Sequence, residues 1–371
     1  MHFIIKRSLL LNHLMKTNKA VSIRNPLPSL TGILFTLQKD CLILTGSDSD
    51  LTIQTILYPQ DDDLQILEEG SIVLSAKYIL EIVKKIDSEH IDIQIVDGQL
   101  TRIKGLHSEF NLNGTSSQDY PNIDLHKSGS LFTLNAMVLK EVINQTRFAA
   151  SDLETKPILT GINFKARDHI LECIATDSYR LAKKTFPLSD PISFNIIIPK
   201  KSLEEVAKII EKEEDITIYV SDRKVLFCLD TLLIQTRLID GHYPDTSRLL
   251  DIEKVSTLQI DTTYLLSAID RVALLTDEQN QVIRFTMKEN EILLSSFNQE
   301  VGSVEESIIN CTYTGNPLEI SFSCKYVKEA IRCFLDESIQ LSFSGIMKPF
   351  IITGCKSKDV VQLLLPIKTY Y

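Results

Sequence analysis

The sequence predicts an α+β fold built from three tandem repeats, each with two helices on one face of an antiparallel sheet. Five sequence blocks recur in the same order at spacings of roughly 121 to 129 residues, which is the signature of a repeated structural unit. The chain also has 371 residues, and this length requires several cores because single cores stop growing near about 250 to 300 residues. We therefore expect domains at residues 1–125, 129–248 and 254–371.

Each repeat begins with a short strand followed by an amphipathic helix. The three copies of this block align without gaps over Phe3–Leu14, Phe132–Ile143 and Leu258–Ile269. Leu265 and Ile269 are four positions apart, and further apolar residues follow seven and eight positions after the first of them. This spacing places the apolar side chains on one face of a helix.

Two strands follow the first helix. Leu30–Phe35 and Leu159–Phe164 share the pattern Leu-Thr-Gly-Ile-x-Phe, and the third, degenerate copy retains Phe285 at the last position. Alternating or apolar runs around short polar turns continue each copy, which is typical of antiparallel strands.

A short polar residue stands at the end of the second of these strands in every repeat, as Asp48, Asp177 and Asn298. The carboxylates of Asp48 and Asp50 are possible ligands for Mg²⁺. The recurrence at a strand end favours the other interpretation, in which these side chains cap a turn. We therefore expect turns at these positions and no metal site.

A second helix precedes the last strands of each repeat. We predict it at Ala76–Ile86, Pro199–Lys212 and Cys324–Leu335, with Pro199 in the first helical turn, where its missing N–H costs nothing. Polar stretches at Asn122–Ser130 and Asp245–Ser256 follow the first and second repeats and are predicted linkers.

Composition and motifs argue against an enzyme, a membrane protein and a secreted protein. The seven cysteines are scattered, without zinc spacing, and indicate reduced thiols of an intracellular protein. The N-terminus lacks the features of a signal peptide, and no apolar run approaches the roughly 20 residues that span a bilayer. Metalloprotease, Walker, dinucleotide-binding and nucleophile-elbow motifs are absent from the sequence. We expect a soluble, cytoplasmic protein without catalysis or cofactor.

Positive charge is concentrated in the predicted helical segments, although the net charge is −10. These segments hold 17 basic and 8 acidic residues, and the remainder holds 22 and 41. They are residues 6–19, 75–86, 134–150, 199–212, 261–276 and 323–335. Lys77, Lys201 and Lys325 occupy equivalent positions in the three repeats. A shared positive face suits a phosphate backbone without base reading, whereas ordinary solvated helix faces explain the charge equally well.

A protein that touches phosphates weakly can remain on DNA by closing around it. Repeats with equivalent sheet edges can continue into a second chain, and a head-to-tail contact whose rotation closes forms a ring. The alternative is a monomeric repeat scaffold that binds only proteins.

The whole chain resembles the bacterial DNA polymerase III beta subunit family. The matching segments are Leu159–Phe164, Ala175–Ala182, Asp240–Asp245, Met347–Phe350 and Leu365–Tyr370. The resemblance implies a head-to-tail homodimer that closes into a six-domain ring around double-stranded DNA without sequence preference. It also implies a non-catalytic clamp that an ATP-driven clamp loader places on DNA. Such a clamp tethers the replicative polymerase alpha subunit, other polymerases and repair proteins.

The resemblance further implies three sets of functional residues. Partner peptides with apolar anchors would bind a pocket between the second and third domains, whose wall would include Leu159, Thr176, Ser178, Tyr179, Arg180, Leu181, Pro244, Arg248, Leu249, Met347, Pro349, Leu365, Pro366, Ile367 and Lys368. Arg180 and Lys368 would bind peptide carbonyls or an acidic side chain. The predicted DNA-facing residues are Arg24, Lys77, Lys200, Lys201 and Lys325. The predicted dimer contact joins Phe110 and Leu112 of one chain to Leu274 and Leu275 of the other.

One loop departs from the family pattern. The segment before the second Leu-Thr-Gly motif often carries polar and aromatic residues that contact DNA in this family. Here it spans Ser151–Pro157, with Lys156 as its single basic residue.

Two segments of the implied peptide site also have purely structural interpretations. These are a buried last strand for Leu363–Ile367 and a strand-end turn for Thr176–Leu181.

Overall fold

The computed structural model describes residues 1–60, 63–276, 281–289, 291–334 and 337–368. Two compact units divide the chain. The first contains residues 1–138 and 204–238, and the second contains residues 139–203 and the chain from 239 onward.

Antiparallel strands and short helices alternate as the sequence predicts. The first repeat contains β1 (His2–Lys6), α1 (Arg7–Thr17), β2 (Gly32–Leu37), β3 (Leu42–Ser47), β4 (Leu51–Leu57), β5 (Leu64–Glu68), β6 (Gly70–Ser75), α2 (Ala76–Lys85), β7 (His90–Asp97), β8 (Leu100–Lys104) and β9 (Glu109–Asn113). The second contains β10 (Ser130–Asn135), α3 (Ala136–Thr146), β11 (Gly161–Arg167), β12 (Ile170–Thr176), β13 (Arg180–Pro187), β14 (Phe194–Pro199), α4 (Lys200–Ile209), β15 (Asp215–Val220), β16 (Lys224–Leu229) and β17 (Leu232–Arg237).

The third repeat follows a short helix, α5 (Ser247–Leu250), and has the same order of helices and strands as the first repeat. It contains β18 (Ser256–Asp261), α6 (Thr262–Val272), β19 (Val282–Lys288), β20 (Glu291–Asn298), β21 (Gly302–Ser307), β22 (Cys311–Gly315), β23 (Leu318–Ser323), α7 (Cys324–Ile331), β24 (Ser338–Phe343), β25 (Phe350–Gly354) and β26 (Val360–Leu364). Asp261 caps α6 by accepting a hydrogen bond from the Tyr264 N–H at 2.8 Å, as expected for an aspartate before a helix.

Every repeat contributes two groups of four or five antiparallel strands. In the first unit the sheets run β5-β1-β7-β8-β9 and β10-β15-β16-β17-β4-β3-β2-β6. In the second unit they run β14-β11-β12-β13-β26-β25-β24-β18-β22 and β21-β20-β19-β23. The larger sheets therefore each join strands from two repeats, through β17 with β4 and through β13 with β26.

The apolar pattern builds one core in the first repeat and a similar one in the third. Phe3, Leu10, Phe35, Ile79 and Ile93 come from both sheets and both helices of the first repeat and are fully buried together. Helices α1 and α2 pack on each other, and both contact the sheet that holds β2 and β6. The predicted α+β repeat is confirmed.

The glycine of the Leu-Thr-Gly motif marks a close approach between strands. A Cβ at Gly32 would lie 2.8 Å from the Leu74 carbonyl oxygen, and one at Gly161 would lie 2.9 Å from that of Ile198. Both glycines are the first residues of their strands, β2 and β11. The motif therefore recurs because a side chain there would push the paired strands apart.

Several predicted boundaries differ from the structure. Pro199 ends β14 instead of entering the helix, and α4 stops at Ile209, because the charged residues 211–214 have no apolar face to bury. The second predicted linker contains α5, and its Leu250 and Ile252 pack against an apolar cluster. The predicted helix end at Leu335 and the predicted domain end at Tyr371 lie outside the described residues.

Three sequence expectations concern the cysteines, metal binding and membrane-spanning helices. All seven cysteines are free thiols. Among the described residues, no cluster of His, Cys, Asp and Glu side chains is arranged to hold a metal ion. A search of the same residues finds no helix that is long and apolar enough to cross a membrane.

Candidate binding sites

The turn between β12 and β13 presents the first part of the predicted peptide site. The Asp177 carboxylate accepts hydrogen bonds from the N–H groups of Tyr179 at 2.9 Å and Arg180 at 3.0 Å. Ser178 has a φ of 82°, and the Tyr179 side chain projects with 62% of its surface exposed. The turn interpretation of this segment is confirmed, and the turn offers an aromatic side chain to a ligand.

The same turn recurs in the other two repeats. Asp48 accepts from the N–H groups of Asp50 at 3.0 Å and Leu51 at 2.8 Å, and Asn298 accepts from those of Glu300 and Val301. The carboxylate of Asp48 is therefore engaged in capping. This confirms the prediction that these polar residues stabilise turns.

The C-terminal segment lies beside the β12–β13 turn. The Leu365 N–H donates to the Tyr179 carbonyl oxygen at 3.0 Å, and the Ile367 N–H donates to that of Ser321 at 2.7 Å. Pro349 directly precedes Phe350, which pairs with Leu364 in the β25–β26 register. The structure thus brings three of the sequence-predicted segments together: 176–181, 347–350 and 365–367.

An apolar cluster forms the floor beneath these segments. Ile174, Leu181, Ile351 and Leu363 are buried side by side, and Tyr243, Leu250, Ile252 and Val361 pack against them. The Thr176 N–H donates to the Tyr243 hydroxyl at 2.9 Å, and burial raises the pKa of Tyr243. The sequence had indicated Tyr243 only as a member of the matching segment Asp240–Asp245.

Exposed apolar side chains surround this floor. Leu249, Met347 and Leu365 are 49%, 50% and 38% exposed. Met347 has a φ of 60°, a conformation that is uncommon for a residue with a side chain. Arg248, Pro244 and Lys368 are also exposed, whereas Leu159 is buried. An apolar floor with a few polar groups at its margin suits an extended peptide.

Arg180 is buried at the β12–β13 turn, and its charge is paired within the chain. Its side chain is only 8% exposed, and its guanidinium pairs with Asp177 at 2.9 Å and with Glu329 on α7. The rings of Phe148 and Tyr326 lie 5.3 Å and 4.2 Å from the guanidinium carbon. With its charge committed to two carboxylates and two rings, Arg180 fixes the position of the turn.

We predict that Arg180→Ala destabilises the fold by about 3 kcal/mol, because it leaves the Glu329 and Asp177 carboxylates without their cation. Thermal and urea denaturation of the full chain would measure the change. Arg248→Ala removes an exposed arginine nearby and should alter stability by less than about 0.5 kcal/mol. Equal effects of the two substitutions would contradict this role for Arg180.

The predicted DNA-facing residues differ in availability. Arg24, Lys77, Lys201 and Lys325 are exposed. The amine of Lys200 instead contacts the Asp152 carboxylate at 2.7 Å, and this hydrogen bond lowers the pKa of Asp152. Lys200 is therefore less available to a phosphate than its neighbour Lys201.

A basic groove between α1 and α4, within the first unit, was missed at the sequence level. Its cavity of about 420 Å³ is lined by Arg7, Lys16, Lys19, Lys208 and the exposed Met15, among other residues. The signal was present in the count of basic residues in these segments, but the count alone could not show which side chains face one another.

Two of the four predicted dimer residues are exposed. Phe110 is 37% exposed on β9 and Leu274 is 79% exposed after α6, while Leu112 and Leu275 are half-buried. Within the described residues, β9 and β21 are edge strands of their sheets. Exposed edges of this kind are templates for pairing with another chain.

Comparisons with known proteins agree with this architecture. Family profiles described as the N-terminal, central and C-terminal domains of the DNA polymerase III beta subunit match residues 1–124, 133–245 and 247–368. The beta sliding clamp of Halalkalibacterium halodurans is 38% identical over 380 residues, covering all of both chains.

Solved structures agree as well. The DNA polymerase sliding clamp of Bacillus subtilis is 38% identical, covers both chains completely and has a TM-score of 0.96. The DNA polymerase III beta chain of Streptococcus pneumoniae is 30% identical, with coverage of 99% of this chain and 100% of that one and a TM-score of 0.95. The chain belongs to the DNA polymerase III beta subunit family.

Proposed function

We propose that this chain is a DNA sliding clamp, the processivity factor of the replicative DNA polymerase III. It closes as a homodimer around double-stranded DNA without reading sequence, and it tethers replication and repair proteins. The observation that carries the proposal is a strand pairing that occurs at two junctions within the chain. It leaves one equivalent strand edge unpaired in the first repeat and one in the third.

The two internal pairings are equivalent in detail. Residue Arg237, at the end of β17, donates its N–H to the Asp50 carbonyl oxygen at 2.9 Å. Leu365, just after β26, donates its N–H to the Tyr179 carbonyl oxygen at 3.0 Å. In both junctions, the last strand of one repeat pairs antiparallel with the strand that follows the Asp-containing turn of another.

Two strands are left without such a partner among the described residues. They are β9, the last strand of the first repeat, and β21, the strand that follows the polar turn of the third repeat. Val301 follows the Asn298 turn as Arg180 follows the Asp177 turn. Leu112 occupies on β9 the place of Leu364 on β26, according to the β8–β9 and β25–β26 registers. Since Arg180 pairs with Leu364, Val301 of one chain should pair with Leu112 of a second.

The same register sets Ser303 opposite Phe110 and Glu305 opposite Ser108. This contact would cover Phe110 and join the predicted dimer strand to a second copy. A monomeric scaffold, the alternative, leaves both edges unpaired and is not favoured, since the full-length relatives are sliding clamps.

We predict that Ser108→Cys combined with Glu305→Cys yields a covalent dimer under oxidation. The equivalent pairs, Leu232 with Thr55 and Val360 with Lys184, face each other directly across their junctions. Such non-hydrogen-bonded pairs have Cα atoms about 4.5 Å apart, within disulfide range. Non-reducing electrophoresis would detect the dimer.

Ser108→Cys with Ser307→Cys is the matched control, because Ser307 lies two residues further along the same face. That pair would be about 7–8 Å apart and should cross-link poorly. Equal cross-linking of both pairs, or of neither, would contradict the proposed register.

The DNA contacts we propose are weak and independent of sequence. Exposed lysines at Lys77, Lys201 and Lys325 recur in equivalent helices, and the groove of Arg7, Lys16, Lys19 and Lys208 adds further positive charge. Lysine contacts with phosphates release counterions but do not distinguish bases. Retention would therefore depend on closure of the ring, and the chain would act in the cytoplasm without catalysis or cofactor of its own.

We predict that the protein, loaded on a nicked circular plasmid by its cognate clamp loader and ATP, stays bound at moderate salt. Linearising the plasmid should release it, because a closed ring can slide off a free end. Gel filtration of the DNA before and after restriction digestion would measure retention. A linear plasmid blocked at both ends serves as the control and should retain the protein.

Equal retention on circular and open linear DNA would instead indicate binding by surface contact, and the ring proposal would be wrong.

For protein partners, we propose that the apolar floor of Leu181 and Leu363 and the exposed Met347 and Leu365 hold a short peptide. The polymerase alpha subunit, the clamp loader, other polymerases and repair proteins would compete for this site. The peptide site and the DNA surface share no residues, which would allow a tethered partner to bind without displacing DNA.

We predict that Leu365→Asp weakens binding of a labelled peptide from the clamp-binding segment of the cognate polymerase alpha subunit by roughly tenfold or more. A bound peptide would cover this side chain, and a charge at a position buried in the complex is costly. Fluorescence anisotropy would measure the dissociation constant. Ile170→Asp alters a comparably exposed residue at the far end of β12 and should leave the affinity unchanged. Equal affinities for the wild type and Leu365→Asp would place the peptide elsewhere.

A further inference from the structure

We propose that the junction of β17 with β4 forms a second binding groove, for an extended peptide that carries apolar anchors and acidic side chains. The groove encloses about 590 Å³ and lies within the first unit. This volume is within the range of about 300–1,000 Å³ typical of ligand pockets. The groove shares no residues with the peptide site proposed above.

The groove is the counterpart of that peptide site in the preceding repeat. Leu30 and Leu159 stand at the same position of the Leu-Thr-Gly motif, and the pair Tyr120-Pro121 near the end of the first repeat recurs as Tyr243-Pro244 at the end of the second. The β3–β4 turn repeats the β12–β13 turn, including a positive φ at Ser49. The backbone therefore builds the same cleft twice.

The side chains of one wall differ in chemistry. Arg237 occupies the position of Leu365, as their equivalent hydrogen bonds show. The turn before β16 carries Arg223 and leads into Lys224, where the turn before β25 carries Met347 and Pro349. Cations thus replace apolar side chains, while Leu27 and Ile123 keep part of the opposite wall apolar.

The cations are held loosely enough to accept a ligand. Arg237 and Asp50 are 3.8 Å apart, with 70% and 73% of their side chains exposed. Arg223 is exposed and forms no ion pair with any described residue. Lys224 is committed to Asp124 at 2.9 Å, and Asp222 adds an exposed carboxylate at the turn. Arg223 and Arg237 are therefore the groups that would receive an acidic side chain.

A buried acceptor also lacks a donor. The Oε1 atom of Gln235, which lines the groove, is inaccessible to solvent and has no hydrogen-bond partner among the described residues. Unsatisfied buried polar atoms are costly, and the N–H of an extended peptide would satisfy this one only after the Gln235 amide turned toward the groove. The apolar side chain of Leu27, which is 49% exposed, favours a peptide over a DNA backbone, which has no apolar group to place there.

The probe for this test is a fluorescein-labelled hexapeptide of alternating leucine and aspartate. Its control peptides alternate leucine with lysine and glycine with aspartate. Fluorescence anisotropy would give the affinities, and hydrogen exchange of the full chain would locate binding. We expect the leucine–aspartate peptide to bind best and to protect residues 221–237.

Arg223→Glu with Arg237→Glu should weaken this binding roughly tenfold or more through charge repulsion, whereas Leu365→Asp should not change it. Arg223→Gln alone should weaken it less, and circular dichroism would verify that each variant is folded. Protection confined to residues 176–181 and 344–368 would overturn the proposal. Equal affinity for the leucine–lysine peptide, or displacement by a short DNA duplex, would do so as well.

Discussion

Hydrogen bonding between strand edges is the interaction on which the rest of this structure depends. A group of strands with an open edge exposes unpaired backbone donors and acceptors, and the chain satisfies them by pairing β17 with β4 and β13 with β26. Each pairing also places the turn before one strand beside the segment after the other, as the hydrogen bonds of Arg237 and Leu365 show. A cleft at each junction follows from this register. The two binding sites that we propose are therefore products of the same backbone interaction that continues the sheets.

The two junctions share a backbone but differ in side chains, and this difference separates their chemistry. On β13, Arg180 and Lys184 are buried on one face and paired with carboxylates, while Leu181 joins the apolar floor on the other. On β4, Leu51 and Thr52 stand at the positions of Arg180 and Leu181. Alternation along a strand makes this possible, since adjacent residues face opposite sides. One face can lock the junction with ion pairs while the other is free to specialise in binding.

The sequence predicted those features that depend on local pattern. The repeats, the helix starts at Ala76 and Cys324 and the capping role of Asp177 follow from spacing and side-chain chemistry within a few residues. The surroundings of Arg180 could not be predicted in this way, because Phe148, Tyr326 and Glu329 come from distant segments. The same limit applies to Lys200, whose partner Asp152 lies 48 residues away. The peptide site was predicted through family resemblance, and its floor at Tyr243 and Leu250 required the fold.

The charge distribution fits a protein that moves along DNA. Several lysines of the basic groove have acidic neighbours: Lys16 lies 3.9 Å from Glu211, and Lys19 lies 3.8 Å from Glu205. Exposed pairs at such distances are weak, so the lysines can still attract phosphates, while the carboxylates reduce the depth of each attraction. In the clamp that we propose, a ring supplies retention through topology, and strong local contacts would only slow its motion. A net charge of −10 is then compatible with a DNA-encircling protein, because the contacts need to guide the duplex and not to hold it.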